Sequence, residues 1–153
     1  AMARPPLARA VRVGKLTIAA MEATLLHYLD PERAVDEIPT LAMLKSDPET
    51  LQDRARGLAK KLASSSDIEA EVIEDISRAG GGALPMESLP TWAVAVTSPS
   101  FKANYLEERL RAAEPPIICR IKEDRVILDM RTVSDDELDI IAAALASIAA
   151  GEE

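Results

Sequence analysis

Between Ile117 and Met130 apolar and polar residues alternate on both sides of Glu123-Asp124, and this stretch constrains the fold more than any other. A period of two requires extended strands, because successive strand side chains point to opposite faces. Pairing Ile117–Ile121 with Val126–Met130 about the acidic turn gives a hairpin. It sets Ile117, Cys119, Ile121, Val126, Leu128 and Met130 on one face. Arg120, Lys122, Arg125, Asp129 and Arg131 share the other face with Ile118 and Ile127.

The remaining elements suit a sheet around that hairpin. Residues 68–76 alternate Glu69 and Glu71 against Ile68, Ala70 and Val72, and Thr91–Val96 reads as another strand. Asp47-Pro48-Glu49 supplies an N-cap, a proline at the first helical position and an acid in the first turn. Leu51, Ala55, Leu58 and Leu62 then mark one helix face, which Ser64-Ser65-Ser66 stops. Ser98-Pro99 starts a helix burying Ala103, Leu106, Leu110 and Ala113, and Pro115-Pro116 ends it. Ser134-Asp135-Asp136-Glu137 has the form of a capping box for a closing helix with Leu138, Ile141, Ala142, Leu145 and Ile148 inward. Residues 31–153 are therefore expected to form an α+β domain: a small, largely antiparallel sheet covered by helices on one face.

The beginning of the chain is different. Ala1-Met2 reads as a cloning remnant and Arg4-Pro5-Pro6 as extended chain, so residues 1–6 form a start outside the fold. Residues 7–30 read as one long apolar helix. Leu16, Ala19, Ala20, Ala23 and Leu26 form one stripe, and Ile18, Met21, Leu25 and Leu29 an adjoining one. A helix apolar on most sides is expected to be enclosed, here against a large domain outside this chain or a neighbouring subunit. Taken alone, the stripe along Leu16–Leu29 should drive self-association. Asp30-Pro31 is expected to end this helix, and a short helical piece is expected around residues 38–44.

Composition bounds the function. Only four of the 153 residues are aromatic, so the core is aliphatic and offers no stacking surface for bases. The net charge of −8 opposes a free-standing nucleic-acid binder. Cys119 is the only cysteine, which excludes an internal disulfide and points to a reducing compartment. No apolar run reaches the roughly 20 residues needed to span a bilayer, and no signal peptide is legible, so a cytoplasmic protein without membrane contact is expected.

Catalytic groups are scarce. His27 is the only histidine, and no Ser-His-Asp, Cys-His or metal-ligand spacing accompanies it. Acid pairs such as Glu69/Glu71 and Glu107/Glu108 are most simply solvated faces. Gly80, Gly81 and Gly82 match neither a dinucleotide fingerprint nor a P-loop. They could let the backbone approach a ligand closely, or be a flexible connection. Arg4, Arg9, Arg12 and Lys15 precede any acidic residue. Arg9 and Arg12 lie three apart, so a helix would set both guanidinium forks on one face, fit to grip an anion or merely to be solvated. Arg120 and Arg131 share the hairpin's polar face, which either lies in solvent, with Asp129 as a diagonal partner for Arg120, or lines a cleft.

Several segments together resemble one family. Arg9-Ala10-Val11-Arg12-Val13-Gly14-Lys15-Leu16-Thr17 and Ala19-Ala20-Met21-Glu22-Ala23-Thr24-Leu25 are similar to the stretch after the cofactor lysine in bacterial selenocysteine synthase (L-seryl-tRNA(Sec) selenium transferase). So are Ile38-Pro39-Thr40-Leu41-Ala42-Met43-Leu44, Gly80-Gly81-Gly82-Ala83-Leu84-Pro85, Leu89-Pro90-Thr91-Trp92-Ala93-Val94, and Pro115-Pro116-Ile117-Ile118 with Arg120-Ile121. Leu128-Asp129-Met130-Arg131-Thr132-Val133 completes the resemblance.

The resemblance implies the C-terminal small domain of a fold-type I pyridoxal-phosphate enzyme. Such an enzyme converts seryl-tRNA(Sec) to selenocysteinyl-tRNA(Sec) with selenophosphate as selenium donor. It further implies that the lysine holding the cofactor lies upstream, that Lys15 is not that lysine, and that this piece alone is inactive, with no catalytic residue of its own. Its partners would be the rest of the same polypeptide and identical subunits, with the tRNA held mainly by an N-terminal domain outside this chain. By position, Arg9 and Arg12 match arginines implicated in holding the selenium-donor anion. Arg131 stands where many fold-type I enzymes hold a substrate carboxylate. Gly14, where an acid is usual, and Cys119, where glycine is common, depart from the pattern. A paralogous pyridoxal-phosphate lyase acting on a small phosphorylated amino sugar or amino acid is an alternative. A non-enzymatic interaction domain that kept the fold is another.

Overall fold

A computed structural model of the chain describes residues 11–80 and 88–151. By contacts the chain divides into two units, Ala1–Lys45 and Ser46–Glu153.

In the first unit the N-terminal helix α1 spans Lys15–His27, thirteen residues. The expectation of one long helix over residues 7–30 is corrected here. Residues 7–10 lie outside the described residues, and residues 11–14 and 28–30 are not helical. Gly14 at the N-cap is extended and has no side chain to hold a helix start, and Tyr28 closes the other end. None of the helix's residues is buried: Leu16 is 88% and Leu25 58% exposed. Asp30 then acts as a start signal. Its carboxylate accepts the Arg33 N–H at 3.2 Å and Pro31 opens helix α2, Pro31–Glu37, an element that apolar periodicity does not mark. Helix α3, Pro39–Lys45, is the short piece expected around 38–44.

The second unit is the expected α+β fold. The Asp47 carboxylate accepts the N–H groups of Glu49 and Thr50 at 3.1 and 3.2 Å, starting α4, Pro48–Leu62. Leu51, Ala55, Leu58 and Leu62 are all buried, as their spacing requires. Strands β1, Glu69–Ser77, and β2, Leu89–Thr97, pair antiparallel from Glu69 opposite Thr97 to Ser77 opposite Leu89. Helix α5, Ala103–Arg111, buries Ala103, Leu106 and Leu110. Strands β3, Arg120–Lys122, and β4, Arg125–Asp129, form the hairpin, and helix α6, Glu137–Ala150, closes the chain.

The sheet order is β1-β2-β4-β3, with every described pairing antiparallel. Glu123 and Asp124 both take positive φ, 54° and 57°, the geometry of a two-residue type I′ turn. The first hairpin strand is shorter than expected. The Ile117 N–H donates to the Leu110 carbonyl at 2.9 Å, so the chain is still tied to the end of α5 there and joins the sheet only at Arg120. Ahead of α6 the Ser134 N–H donates to the Glu137 carboxylate at 2.8 Å, one arm of the expected capping box.

Val94, Val96, Val126, Leu128 and Met130 from the sheet meet Leu58, Leu106, Leu110, Leu145 and their helical neighbours in one core. All belong to one face of the sheet. Among the described residues no helix is long and apolar enough to cross a membrane.

Candidate functional site

The opposite face of the sheet is where charge collects. By strand parity it carries Glu71, Ile73, Asp75 and Ser77 of β1, Thr91, Ala93 and Ala95 of β2, Ile127 and Asp129 of β4, and Arg120 and Lys122 of β3. Ala93, Ala95 and Ile127 form a thin buried strip flanked by Ile73. Long side chains reach across this strip to the acids of β1. Arg120 donates to Asp75 at 2.8 Å and Lys122 at 3.2 Å, while Arg125 donates to Glu71 at 2.9 Å. Small residues on β2 leave room for these arms, whose aliphatic stems shield the strip while the charged ends pair.

Asp75 is held from several sides. Burial pushes its carboxyl up, but the Ile76 N–H, Lys122 and Arg120 outweigh that and leave it below the ordinary carboxylate range. Beside it runs a groove of about 430 Å³ walled by Asp75, Pro90, Thr91 and Trp92.

A second acid, Asp129, organises the end of this face. Oδ1 accepts the Thr91 hydroxyl at 2.7 Å and the Arg131 N–H at 3.1 Å. Oδ2 accepts the Ser77 hydroxyl at 2.6 Å, reaching across β2, and lies 3.8 Å from Arg120 Nη2. Arg131 is buried, and its Nη2 donates to the Pro90 carbonyl at 2.6 Å.

The sequence-selected residues therefore separate into groups. Arg12 is exposed, in the stretch before α1, and Arg9 lies outside the described residues. Gly81 and Gly82 also lie outside them. Gly80 is exposed, has open space where a Cβ would stand and does not use positive φ, so the conformational freedom expected of it is not exercised there. Arg120 and Arg131 are brought together beside Asp129, Arg120 in ion pairs and Arg131 buried. His27 ends α1, with Nδ1 against the Glu37 carboxylate, a local tie between α1 and α2.

Sequence reasoning gives Asp129 only as a diagonal partner of Arg120 and misses Ser77 and Thr91. A signal is present: both hydroxyls fall at same-face strand positions, and Asp129 precedes Arg131 by two. Lys15, Lys45, Lys60, Lys61, Lys102 and Lys122 are all exposed, so none stands in an enclosed cleft of the kind that a lysine binding pyridoxal phosphate requires.

Comparison with known proteins adds an independent line. A family model for L-seryl-tRNA selenium transferase matches residues 1–134. Curated relatives bear the name L-seryl-tRNA(Sec) selenium transferase. That of Solidesulfovibrio magneticus is 47% identical over 95% of this chain and 32% of its own length. That of Alkaliphilus oremlandii is 43% identical over 94% of this chain and 31% of its own. That of Aquifex aeolicus is 41% identical over 92% of this chain and 30% of its own. The chain thus spans about a third of the length of the curated relatives it matches.

Proposed function

Because the chain belongs to the L-seryl-tRNA selenium transferase family, we propose that it is the C-terminal part of an enzyme that converts seryl-tRNA(Sec) to selenocysteinyl-tRNA(Sec). The observation that carries this reading is the family match over residues 1–134, joined to identities of 40–47% with proteins of that name. Selenophosphate would be the selenium donor and pyridoxal phosphate the cofactor. When bound, that cofactor supplies an electron sink for loss of the serine hydroxyl. Its lysine would belong to another part of the polypeptide, a reading supported by the absence of an enclosed lysine among the described residues.

Within this scheme Arg9 and Arg12 hold the donor anion, and Arg131, Arg120 and Gly80–Gly82 are the further residues of this chain that would face the active site of the complete enzyme. Arginine suits that task because its planar fork meets phosphate and carboxylate with two parallel hydrogen bonds. The exposed apolar helix α1 packs against the large domain or an identical subunit of a cytoplasmic homo-oligomer. The tRNA is gripped mainly outside this segment, in keeping with its net charge of −8.

The test uses the full-length polypeptide and the isolated segment side by side. Full-length protein should take up pyridoxal phosphate with the visible absorbance of the lysine-bound cofactor and form selenocysteinyl-tRNA from seryl-tRNA(Sec) and selenophosphate. The isolated segment should do neither. Arg12→Ala in the full-length enzyme should raise the KM for selenophosphate about tenfold, the order expected from loss of one charge-assisted contact. Product formation by the segment alone, or none by the full-length protein, would refute the reading.

A further inference from the structure

The sheet order leaves two strands with an outer side, β3 and β1. β3 is three residues long and offers little backbone to pair with. β1 is nine residues long, contains no proline, and runs opposite β2 one-to-one from Glu69 to Ser77 without a bulge. The direction of its backbone groups follows from β2. The Met130 N–H donates to the Trp92 carbonyl at 3.0 Å, so the backbone groups of Trp92 point to the β4 side. In an antiparallel ladder the residue opposite such a position turns its own N–H and C=O the other way. Glu74 stands opposite Trp92, so its N–H and C=O point away from β2, and two-residue alternation extends this to Ala70, Val72 and Ile76. Pro90, with no N–H to give, falls opposite Ile76 in the same pattern. The Ile76 N–H is taken by the Asp75 carboxylate at 2.9 Å, and among the described residues no backbone group outside β2 bonds to β1.

A straight edge of this length is one that proteins cover, shorten or interrupt. Its side chains select what can lie on it. β1 carries Glu69, Glu71, Glu74 and Asp75 and no cation. Two antiparallel copies of β1 would set acids beside acids, which is destabilising, so a second copy suits this edge poorly. Glu71 and Asp75 already pair with Arg125, Arg120 and Lys122 across the sheet. Glu69 and Glu74 are exposed, and among the described residues no cation pairs with either. Next to the edge, the groove of about 430 Å³ is also lined by Pro48 at the start of α4, Glu74 and Ile76, and Ile76 is 48% exposed. We propose that the β1 edge takes an extended segment as a fifth strand, with Lys or Arg for Glu69 and Glu74 and an apolar side chain for the groove. The segment belongs to the enzyme polypeptide outside these residues. The chain spans about a third of the length of its curated relatives, so such a segment would be tethered close by at high effective concentration. This rests on the reading above that the chain is part of a longer enzyme.

The experiment is residue-resolved amide hydrogen exchange on this chain alone and on the full-length polypeptide, beside an assay for selenocysteinyl-tRNA formation. In the chain alone the outward amides of Ala70, Val72 and Glu74 should exchange quickly, while those of Glu71, Ile73 and Asp75, directed to β2, should be protected. In the full-length protein the three outward amides should slow by about a hundredfold, so that the alternation disappears. Glu74→Pro removes one outward donor, and proline is tolerated on an edge strand whose N–H faces away from the sheet. In full-length Glu74→Pro the amides of Ala70 and Val72 should return to the rapid exchange of the chain alone. The double variant Glu69→Lys/Glu74→Lys should speed their exchange about tenfold, because like charges would then face each other across the new pairing.

Equal exchange of the outward amides in the two forms would overturn the proposal. So would protection in the chain alone that grows with its concentration, because the occupant would then be a second copy. Amides of Ala70 and Val72 that stay slow in full-length Glu74→Pro also contradict it, since they would be covered without being paired. If Glu74→Pro fails to fold by thermal melting, the double lysine variant takes its place, and unchanged exchange there contradicts the idea. A full-length protein that makes selenocysteinyl-tRNA but shows no new protection sinks this inference alone. One that shows the new protection and makes no product sinks the functional reading and leaves the added strand standing.

Discussion

The two units of the chain use apolar residues in opposite ways. From Ser46 onward, leucine, isoleucine and valine from three strands and three helices converge, and Leu51, Leu58, Leu106, Leu110 and Leu145 are fully enclosed. Up to Lys45 the only buried apolar side chain among the described residues is Ala34, while Leu16, Ile18, Met21, Leu25, Leu26 and Leu29 are exposed. Both stretches form helices, yet only one of them encloses its own apolar surface. Helical periodicity settles where a helix forms, and a core settles whether it can stand alone. Helix α1 has the composition of an enclosed helix without the enclosure, as a segment completed by other parts of a longer polypeptide would show.

This contrast can be broken by mutation. In the isolated chain Leu106→Ala should cost about 2–5 kcal/mol in urea unfolding, the usual range for a core leucine, whereas Leu25→Ala should cost under about 0.5 kcal/mol. Comparable losses at both positions would show that α1 is part of the same cooperative core. Next in size is association. The isolated chain should form concentration-dependent oligomers in light scattering, and Leu25→Asp with Leu29→Asp should shift it toward monomer without lowering the unfolding midpoint. A wild-type chain that stays monomeric and does not bind a hydrophobic dye would contradict the exposed stripe.

A smaller effect concerns the charged sheet face. Asp75 is held below its ordinary range, so its contribution to stability is present above the unfolded value near pH 4. That contribution is lost as pH falls through the folded value. Acid unfolding of the wild type should therefore be steeper below about pH 4 than that of Asp75→Asn, monitored by circular dichroism. Equal slopes would mean the Arg120 and Lys122 pairs add nothing. The smallest effect is at Cys119, where burial, and after it Glu107, pushes the thiol up to about 11. Alkylation by iodoacetamide at pH 8 should be slow beside a free thiol and should accelerate as pH approaches 11.

Much of the second unit is legible in the sequence because local and long-range signals agree there. Asp47-Pro48-Glu49 starts a helix, and the alternation around Glu123-Asp124 gives the hairpin and its faces. The same three residue types recur at Asp30-Pro31-Glu32 and cap α2 in the same way, but there they come after an apolar run and read only as its end. Proline has a double meaning, stopping the helix before it and opening the one after it, and here the second meaning is hidden by the first. The length of α1 is overestimated from sequence because apolar periodicity carries no end marks, and Gly14 in an extended conformation supplies one.

The candidate site is less legible. Arg120 and Arg131 can be placed on one face by parity, but the convergence of Ser77, Thr91 and Asp129 depends on three strands meeting in a register that only the folded sheet fixes. Strand parity can put each of residues 77, 91 and 129 on that face, but not opposite one another.

The contrast between the units is tested most directly by amide hydrogen exchange on the isolated chain and on the full-length polypeptide. Amides of Leu16–His27 should exchange rapidly in the isolated chain and become strongly protected in the full-length protein, while those of β2, β4 and α5 are protected in both. Equal protection of α1 in the two forms would contradict this, because the helix would then owe nothing to residues outside this chain.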